Sequence, residues 1–579
     1  MRRLFRYIRG YEKETVIAPL FKMLEACFEL LVPIVMATII DEGIKNADLP
    51  LIWRQCGILV LLAVVGMVCS LTAQYFAAKS ALGFGTALRR DLFAHINTLS
   101  YTELDRIGTP TLVTRMTSDV NQVQNGLNMT LRLLLRCPFI VIGAIVMAFT
   151  ISPRLTLWFL LITAVISLII YLIMRATVPV YHKSQSALDR VTLLTRENYV
   201  GARVVRAFSR QEDEMADFAA TNDRLRDFQL AAGRISALMN PLTYLVVNLG
   251  VIAVLWYGGR EVDTGTLTQG EITALINYLS QILLNLLRVA DLVIVATRAI
   301  ASALRVTEVL NTTCTMPDPA AADLAADASA PAVAFDGVSF TYNGAGAPSL
   351  ENITLHAAPG ETIGVIGGTG SGKTTLIDLI PRFYDATSGQ VSLFGHNVRE
   401  YGFAQLRRLI GIVPQKAVLF AGTIRDNMRW AKPDATDEEI WTALEIAQAA
   451  DFVRSKPGGL DAPVETAGRN FSGGQRQRLT IARALVPMPR ILILDDSASA
   501  LDYATDAALR TAIKERTHGM TVFIVSQRAA SVQRADKILV LDDGACAGLG
   551  THAGLLKTCD VYREICLSQL SKEEVSRTL

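Results

Sequence analysis

Apolar residues fall into six long blocks over the first half of the chain and into short blocks over the second. The long blocks lie near Pro19–Ile40, Ile58–Ala77, Pro138–Ile151, Leu155–Met174, Leu242–Trp256 and Ile272–Val295. A helix needs roughly 20 apolar residues to cross about 30 Å of hydrocarbon, so each block predicts a membrane span. The third and fifth are short and are expected to extend backwards into "TLRLLLRC" and "ISALMN". The gaps alternate. "DEGIKNADLPLIWRQ", "SPR" and "GGREVDTGTLTQGE" are short, whereas Lys79–Leu133 and Arg175–Asn240 are long, polar and periodic in a helical sense. This predicts spans that continue out of the membrane as helices and turn back within "SYTELDRIGTPTLVTRMTSD" and "YVGARVVRAFSRQEDE".

Residues 313–332, "TCTMPDPAAADLAADASAPA", have no period and read as a linker. Beyond it strands and helices alternate, the pattern of an α/β domain. The expected division is a membrane domain over 1–312, the linker over 313–332 and a soluble domain over 333–579.

Composition agrees with this division. A mean hydropathy of +0.33 with 51% hydrophobic residues is high for a wholly soluble chain of 579 residues. The net charge of +2 argues against nucleic acid as a partner. Most Lys and Arg residues of the membrane half lie in the two long gaps, which puts those gaps and both termini in the cytosol of a multi-pass plasma-membrane protein. The opening "MRRLFRYIRGYEK" lacks a signal-peptide core and reads as an amphipathic helix on an anionic membrane surface. Eight cysteines form no CxxC pair, so neither a zinc site nor a disulfide framework is indicated.

The chemistry sits in the soluble half. "GGTGSGKT", Gly367–Thr374, follows the apolar strand "TIGVIG" and opens a helical run. Its residues Gly367, Gly368, Thr369, Gly370, Ser371, Gly372, Lys373 and Thr374 fit G-x-x-x-x-G-K-[ST], with Thr375 next in the helix. Such glycines let backbone N–H groups converge on phosphate oxygens, and the helix start adds its dipole. Lys373 is expected to reach the β- and γ-phosphates, and Thr374 to join a Mg²⁺ shell. "ILILDD" delivers Asp495 as a metal carboxylate. Between them Ser472, Gly473, Gly474 and Gln475 open a helix in "NFSGGQRQRLTIARAL", a second anion site about a hundred residues away. One small nucleotide rarely needs both, which hints that the second serves another subunit.

Together these features resemble a half-size ATP-binding cassette (ABC) exporter, over essentially the whole chain. The resemblance implies a six-span helical domain fused to a P-loop nucleotide-binding domain, using ATP and Mg²⁺. By it "GGTGSGKT" is the Walker A loop, "ILILD" the Walker B strand and "SGGQ" the family signature. "SASALD", ending in Asp502, is the loop that meets the partner. Tyr342 of "VSFTYNG" matches the aromatic that stacks on adenine, and Gln415 of "IVPQKAVLF" the glutamine at the metal site. The turns near Thr102–Gly108 and Ala207–Asp213 match coupling helices. In this family two cassettes sandwich two ATP molecules, each held by one chain's Walker motifs and the other's signature.

Two positions depart from the family pattern. Asp496 stands where glutamate is usual, and Gln527 of "VSQRAAS" where histidine is usual. Aspartate is one methylene shorter, and displacements near 1 Å can cost on the order of a hundredfold in rate. Glutamine can donate a hydrogen bond but cannot carry positive charge to a transition state. Both departures affect hydrolysis and neither affects binding. The expected assembly is therefore a heterodimer in which this chain's own site is slow and its signature completes a competent partner site. A homodimeric exporter and an ATP-gated regulatory subunit are the alternatives.

In the last span Asn277, Gln281, Asn285 and Arg288 share a helical face, which reads equally as a translocation path or as inter-helix hydrogen bonding. Glu25 and Glu29 share a face of the first span and read as partners for neighbouring basic residues. Small amphipathic compounds, lipids and peptides all fit such a membrane domain.

Overall fold

The computed structural model describes residues 4–569 except 320–323, 326, 328, 498, 499 and 518. The chain forms two compact units: residues 1–97 with 110–311, and residues 98–109 with 312–579.

The first unit is a helical bundle. Among the described residues six helices are long and apolar enough to cross a membrane: Glu12–Ile44, Leu49–Ile96, Thr109–Ile151, Pro153–Ala207, Gln211–Asp263 and Gln269–Asn311. Each contains one of the six apolar blocks, and the polar gaps prolong the helices as their period requires. The third and fifth do extend backwards, the third through a break between Val120–Leu133 and Arg136–Ile151. In the gap "SPR", Ser152 caps the fourth helix by accepting from the Leu155 N–H at 3.4 Å, and Pro153 takes the first turn.

Lipid supplies no hydrophobic drive between helices, so small residues set how closely they pack. Ala26, Ala144 and Ala148 are fully buried. A Cβ on Gly143 would come within 2.4 Å of Leu30, and one on Gly250 within 2.4 Å of Ile162. Ahead of the first span the structure differs from expectation. The segment is a 3₁₀ turn over Leu4–Ile8 rather than a surface helix. Gly10, at φ 91°, interrupts it. Leu4 and Tyr7 are buried, with Tyr7 edge-on to Phe84 at 6.2 Å.

The second unit is built on a ten-stranded sheet. At its centre the strand Thr362–Gly367 lies parallel to Thr521–Val525 on one side and Lys537–Asp542 on the other. Ile491–Asp495 pairs parallel with Thr521–Val525, and Ile410–Val413 lies outside it. The central strands are apolar and buried along their interiors, as parallel strands covered on both faces are. The antiparallel strands Val333–Phe340, Leu350–Ala357 and Ser388–Leu393 form the other wing. A second apolar core gathers Ile424, Met428, Ile440, Leu444 and Val453 with Leu479 and Leu485 of the helix Gly473–Leu485.

The segment 98–109 belongs to this unit. Ser100 and Glu103 form a capping box for the helix Tyr101–Ile107, and Gly108, at φ 79°, ends it. The Tyr101 ring lies 4.7 Å from that of Phe383, and the Tyr384 hydroxyl donates to Asp105 at 2.5 Å. Glu103 also accepts from Thr315 Oγ1 at 2.7 Å, tying the linker to the same helix. Farther along, Leu324 N–H donates to Gln405 Oε1, whose amide donates back to the Leu324 carbonyl at 2.7 Å.

Candidate nucleotide site

The central strand Thr362–Gly367 ends in a tight loop because the next residues are glycines with special backbone demands. Gly370 and Gly372 have φ of 83° and 90°. A Cβ on Gly367 would meet the Leu541 carbonyl at 2.2 Å, so only glycine fits there. The helix Lys373–Leu379 starts directly from this loop. Lys373 is buried, and its ammonium donates to the carbonyls of Gly367 at 3.0 Å and Gly368 at 2.5 Å and to the Ser371 hydroxyl at 3.3 Å. Burial lowers its pKa, against the raising effect of Asp496 and Asp495.

Strand Ile491–Asp495 brings the acids to the same place, because it lies one strand away from the loop's own strand. The Thr374 hydroxyl donates to Asp495 Oδ2 at 3.2 Å. Burial pushes the Asp495 carboxyl up; the Thr374 hydrogen bond opposes this and the neighbouring Asp496 charge adds to it. Asp496 follows in a left-handed turn, φ 43°, its N–H donating to the Val525 carbonyl at 2.9 Å. The Gln415 amide donates to Asp496 Oδ2 at 3.4 Å.

These residues surround a cavity of about 520 Å³. Thr369–Thr375, Gln415, Asp495, Asp496 and Gln527 line it, with Tyr342 on its wall. The Tyr342 hydroxyl is 3.1 Å from the Thr375 hydroxyl, and its ring stands edge-on to Phe340 and Tyr384. Gly367 and Gly368 stand behind it as carbonyl partners of Lys373.

The donor set beside the loop is hard oxygen: the Thr374 hydroxyl, the Asp495 carboxylate and the Gln415 amide. Among the described residues no cluster of three or more His, Cys, Asp or Glu exists. Such a sparse set fits a magnesium ion, which takes one or two carboxylates and completes its shell with water and phosphate. Asp495, buried, and the adjacent Asp496 put two carboxyl groups side by side at the cavity, a charge that a divalent cation offsets.

The structure does not bring Ser472, Gly473, Gly474, Gln475 or Asp502 to this cavity. Ser472 and Gln475 form their own capping box, with Gln475 N–H donating to Ser472 Oγ at 3.3 Å. A Cβ on Gly474 would meet the Ala500 carbonyl at 3.1 Å, so this turn borders the loop after the Asp495 strand. In that loop Ala498 and Ser499 lie outside the described residues. Asp502 caps the next helix, accepting from Thr505 N–H at 2.9 Å, which holds its carboxyl below the usual range.

Sequence reasoning missed four residues at or beside the site. Asp543 and Gly544 line the cavity from the turn of a hairpin joining Lys537–Asp542 to Ala545–Gly550. The Asp-Gly pair between apolar runs was the available signal. Ser349 reaches it from the start of the strand Leu350–Ala357 and carries no motif. Asp378, in the loop's helix, has its carboxyl pushed up to about 7 by burial and then by the charges of Asp495 and Asp105.

Comparison with known proteins agrees with this geometry. Residues 15–286 match the family model described as the ABC transporter transmembrane region, and residues 350–499 the one described as ABC transporter. An uncharacterized ABC transporter ATP-binding protein of Mycobacterium tuberculosis is 38% identical over 98% of this chain and 97% of its own length. The ATP-dependent lipid A-core flippase of Chromobacterium violaceum is 29% identical over 99% of this chain and 98% of its own. In fold, the chain resembles a bacterial Atm1-family ABC exporter with ATP bound, with a TM-score of 0.80 at 23% identity, over 97% of this chain and 98% of that one. A phosphate loop, an acid-ended strand and six spans in one chain, with relatives matched end to end, establish that it belongs to the ABC transporter family, as an ATP-hydrolysing half-size transporter with the exporter fold.

Proposed function

We propose that this chain is the hydrolytically impaired half of a heterodimeric exporter in the plasma membrane, with both termini in the cytosol. The observation that carries the proposal is Asp496. It is one methylene short of the family's glutamate, and the Gln415 amide holds its carboxylate at 3.4 Å. A base withdrawn by about 1 Å loses on the order of a hundredfold. Gln527 lines the same cavity and has no charge to offer the γ-phosphate.

Binding, in contrast, has every part. Lys373 faces the phosphates, the loop N–H groups cradle them, and Tyr342 supplies an aromatic face for adenine. Thr374, Asp495 and Gln415 would hold Mg²⁺, which neutralises charge on the phosphates. Ser472–Gln475 and Asp502 lie outside the chain's own cavity, which supports their serving ATP bound to a second chain. An apolar surface at the second cytosolic turn also supports a partner: Tyr199 is 82% exposed, Val200 83% and Phe208 74%. Relatives named for multidrug efflux and for lipid A-core flipping support a small amphipathic or lipid substrate; a peptide fits the same membrane domain.

The test is steady-state ATPase of the chain alone and of the complex purified from its native membrane, with the mass of that complex. A second, similar chain and hydrolysis that depends on it are expected. Brisk hydrolysis by this chain alone, lost on Asp496→Asn, would replace the proposal with a homodimeric pump.

A further inference from the structure

The first, third and last spans line a half-open cavity of about 380 Å³. It is lined by the bases Lys22, Arg132, Arg136 and Arg288 and the acids Glu25 and Asp291, with Met129 and Leu133 as its apolar wall. So many charges within a membrane bundle are costly unless each is paired or used.

The pairing is uneven. Lys22 Nζ meets Glu25 at 2.5 Å and donates to Ser70 Oγ at 3.0 Å. Arg136, 7% exposed, donates to Glu29 at 2.7 Å, lies 3.8 Å from Glu25 and reaches Asn285 Oδ1 at 3.4 Å. Glu25 and Glu29 are therefore occupied. Among the described residues neither Arg132 nor Arg288 has an acid within ion-pair distance, although Asp291 lines the same space. The Nε atoms of Arg132 and Arg136 are both buried without an acceptor. With Glu29, which pairs Arg136 from beside the cavity, the cluster holds four bases and three acids, an excess of one positive charge. Buried guanidinium N–H groups without acceptors are expensive, and an oxyanion that presents two oxygens to the planar guanidinium, a phosphate or carboxylate, is the group that satisfies them.

Depth along the helices is also informative. Arg136 lies 15 residues before the end of its span at Ile151, Glu25 lies 19 before Ile44, and Arg288 lies 19 after Gln269. At 1.5 Å per residue these are about 22 to 29 Å from the outer ends. In a hydrocarbon layer of about 30 Å that is the level of the inner leaflet's polar boundary.

We propose that this cavity binds an anionic oxygen group, phosphate or carboxylate, of the transported compound, with Arg132 and Arg288 as its principal ligands. The proposal rests on the exporter reading above and names the substrate class: an anionic amphiphile entering from the cytosolic side. Lys22 and Arg136, held by Glu25 and Glu29, act as fixed positive walls.

The test uses the full-length chain in phosphatidylcholine nanodiscs without nucleotide. The probes are a fluorescent long-chain alkyl phosphate, a phosphocholine bearing the same chain, and inorganic phosphate as competitor. The alkyl phosphate is expected to bind at least about tenfold tighter than the phosphocholine. Arg132→Gln and Arg288→Gln should each weaken it about tenfold, the effect of losing one charge-assisted hydrogen bond, and Arg132→Lys should restore part. Displacement by inorganic phosphate would identify a site that also accepts soluble anions; resistance to displacement would identify one that requires the lipid chain. Equal binding of the two amphiphiles, or no effect of either glutamine variant, overturns the proposal. Labelled-ATP binding by the same variants serves as the folding control and should be unchanged. Absence of substrate-stimulated ATPase in the native complex, with alkyl phosphate binding intact, would count against the exporter reading and not against the site.

Discussion

The Gln415 amide donates to the Asp496 carboxylate at 3.4 Å, so this acid is engaged by another residue lining the same cavity. Its backbone is held as well, with φ 43° and an N–H bond to Val525. The carboxylate cannot advance by moving its own turn without losing that bond. Asp496→Asn is therefore expected to change the ATPase of the complex by less than about threefold, because a badly placed base contributes little. Asp496→Glu with Gln527→His is expected to raise it. A hundredfold loss in the single variant, measured as steady-state phosphate release, would show that the short acid works.

Lys373 offers a test of binding separate from hydrolysis. Its ammonium already sits over the loop, bonded to the carbonyls of Gly367 and Gly368. Lys373→Ala should reduce ATP affinity at this chain's own site more than tenfold, since a cation facing clustered phosphate charge is lost. Equilibrium binding of a labelled nucleotide checks it, and unchanged occupancy would remove the loop from the site.

Much of this was legible beforehand, for physical reasons. The phosphate loop announces itself because its backbone conformation requires glycine at Gly367 and Gly372. The six spans announce themselves because hydrocarbon excludes polar residues over a fixed thickness. The N-terminal turn was misread because a basic, aromatic stretch scores as amphipathic whatever it packs on, and here Tyr7 packs on Phe84. Asp378 escaped because nothing local marks it: its perturbation comes from Asp495 and Asp105, distant in sequence. The turn near Thr102–Gly108, which the resemblance matches to a coupling helix that docks on the cassette, packs Tyr101 and Asp105 with Phe383 and Tyr384.

Asp378 makes a pH prediction with a definite sign. Its carboxyl titrates near 3.8 when unperturbed and at about 7 in the folded chain. Between these values the folded state holds a proton that the unfolded state has released, so stability falls as pH rises from about 4 to about 7. Asp378→Asn keeps the neutral form at every pH. The variant and the wild type should melt alike near pH 4 and diverge upward to pH 7, with the variant the more stable. Parallel melting curves of the nucleotide-free chain across that window would contradict the shift.

The polar face of the last span divides into two roles. Asn285 is buried and bonds Arg136, and Gln281 donates to the Glu29 carbonyl at 3.4 Å, so both serve contacts between helices. Asn277 and Arg288 are exposed. Cysteines at 277 and 288 should react with a soluble thiol reagent, whereas those replacing Asn285, Leu279 and Leu283 should be protected. Rapid labelling at 285 would restore the reading of one continuous aqueous face.

The signature turn gives the sharpest test of the asymmetric assembly, because its effect should fall on another chain. Ser472 and Gln475 cap the helix Gly473–Leu485, whose first-turn N–H groups have no intrahelical acceptor. A Cβ at Gly473 would meet nothing within 4 Å, so a substitution there has no steric cost inside this chain. Gly473→Ala should accordingly fold as the wild type does, and Gly473→Asp should as well, since an acid at a helix start is electrostatically favourable. In the assembled transporter the outcomes should separate. The aspartate would face the γ-phosphate held by the partner's Walker loop, where helix-terminal N–H groups otherwise stabilise developing charge. Gly473→Asp is expected to abolish turnover of the complex while leaving this chain's own nucleotide binding and melting temperature unchanged. Turnover that survives Gly473→Asp, with the chain folded and paired, would mean that the signature completes no competent site, and the proposed division of labour between the two halves would fall with it.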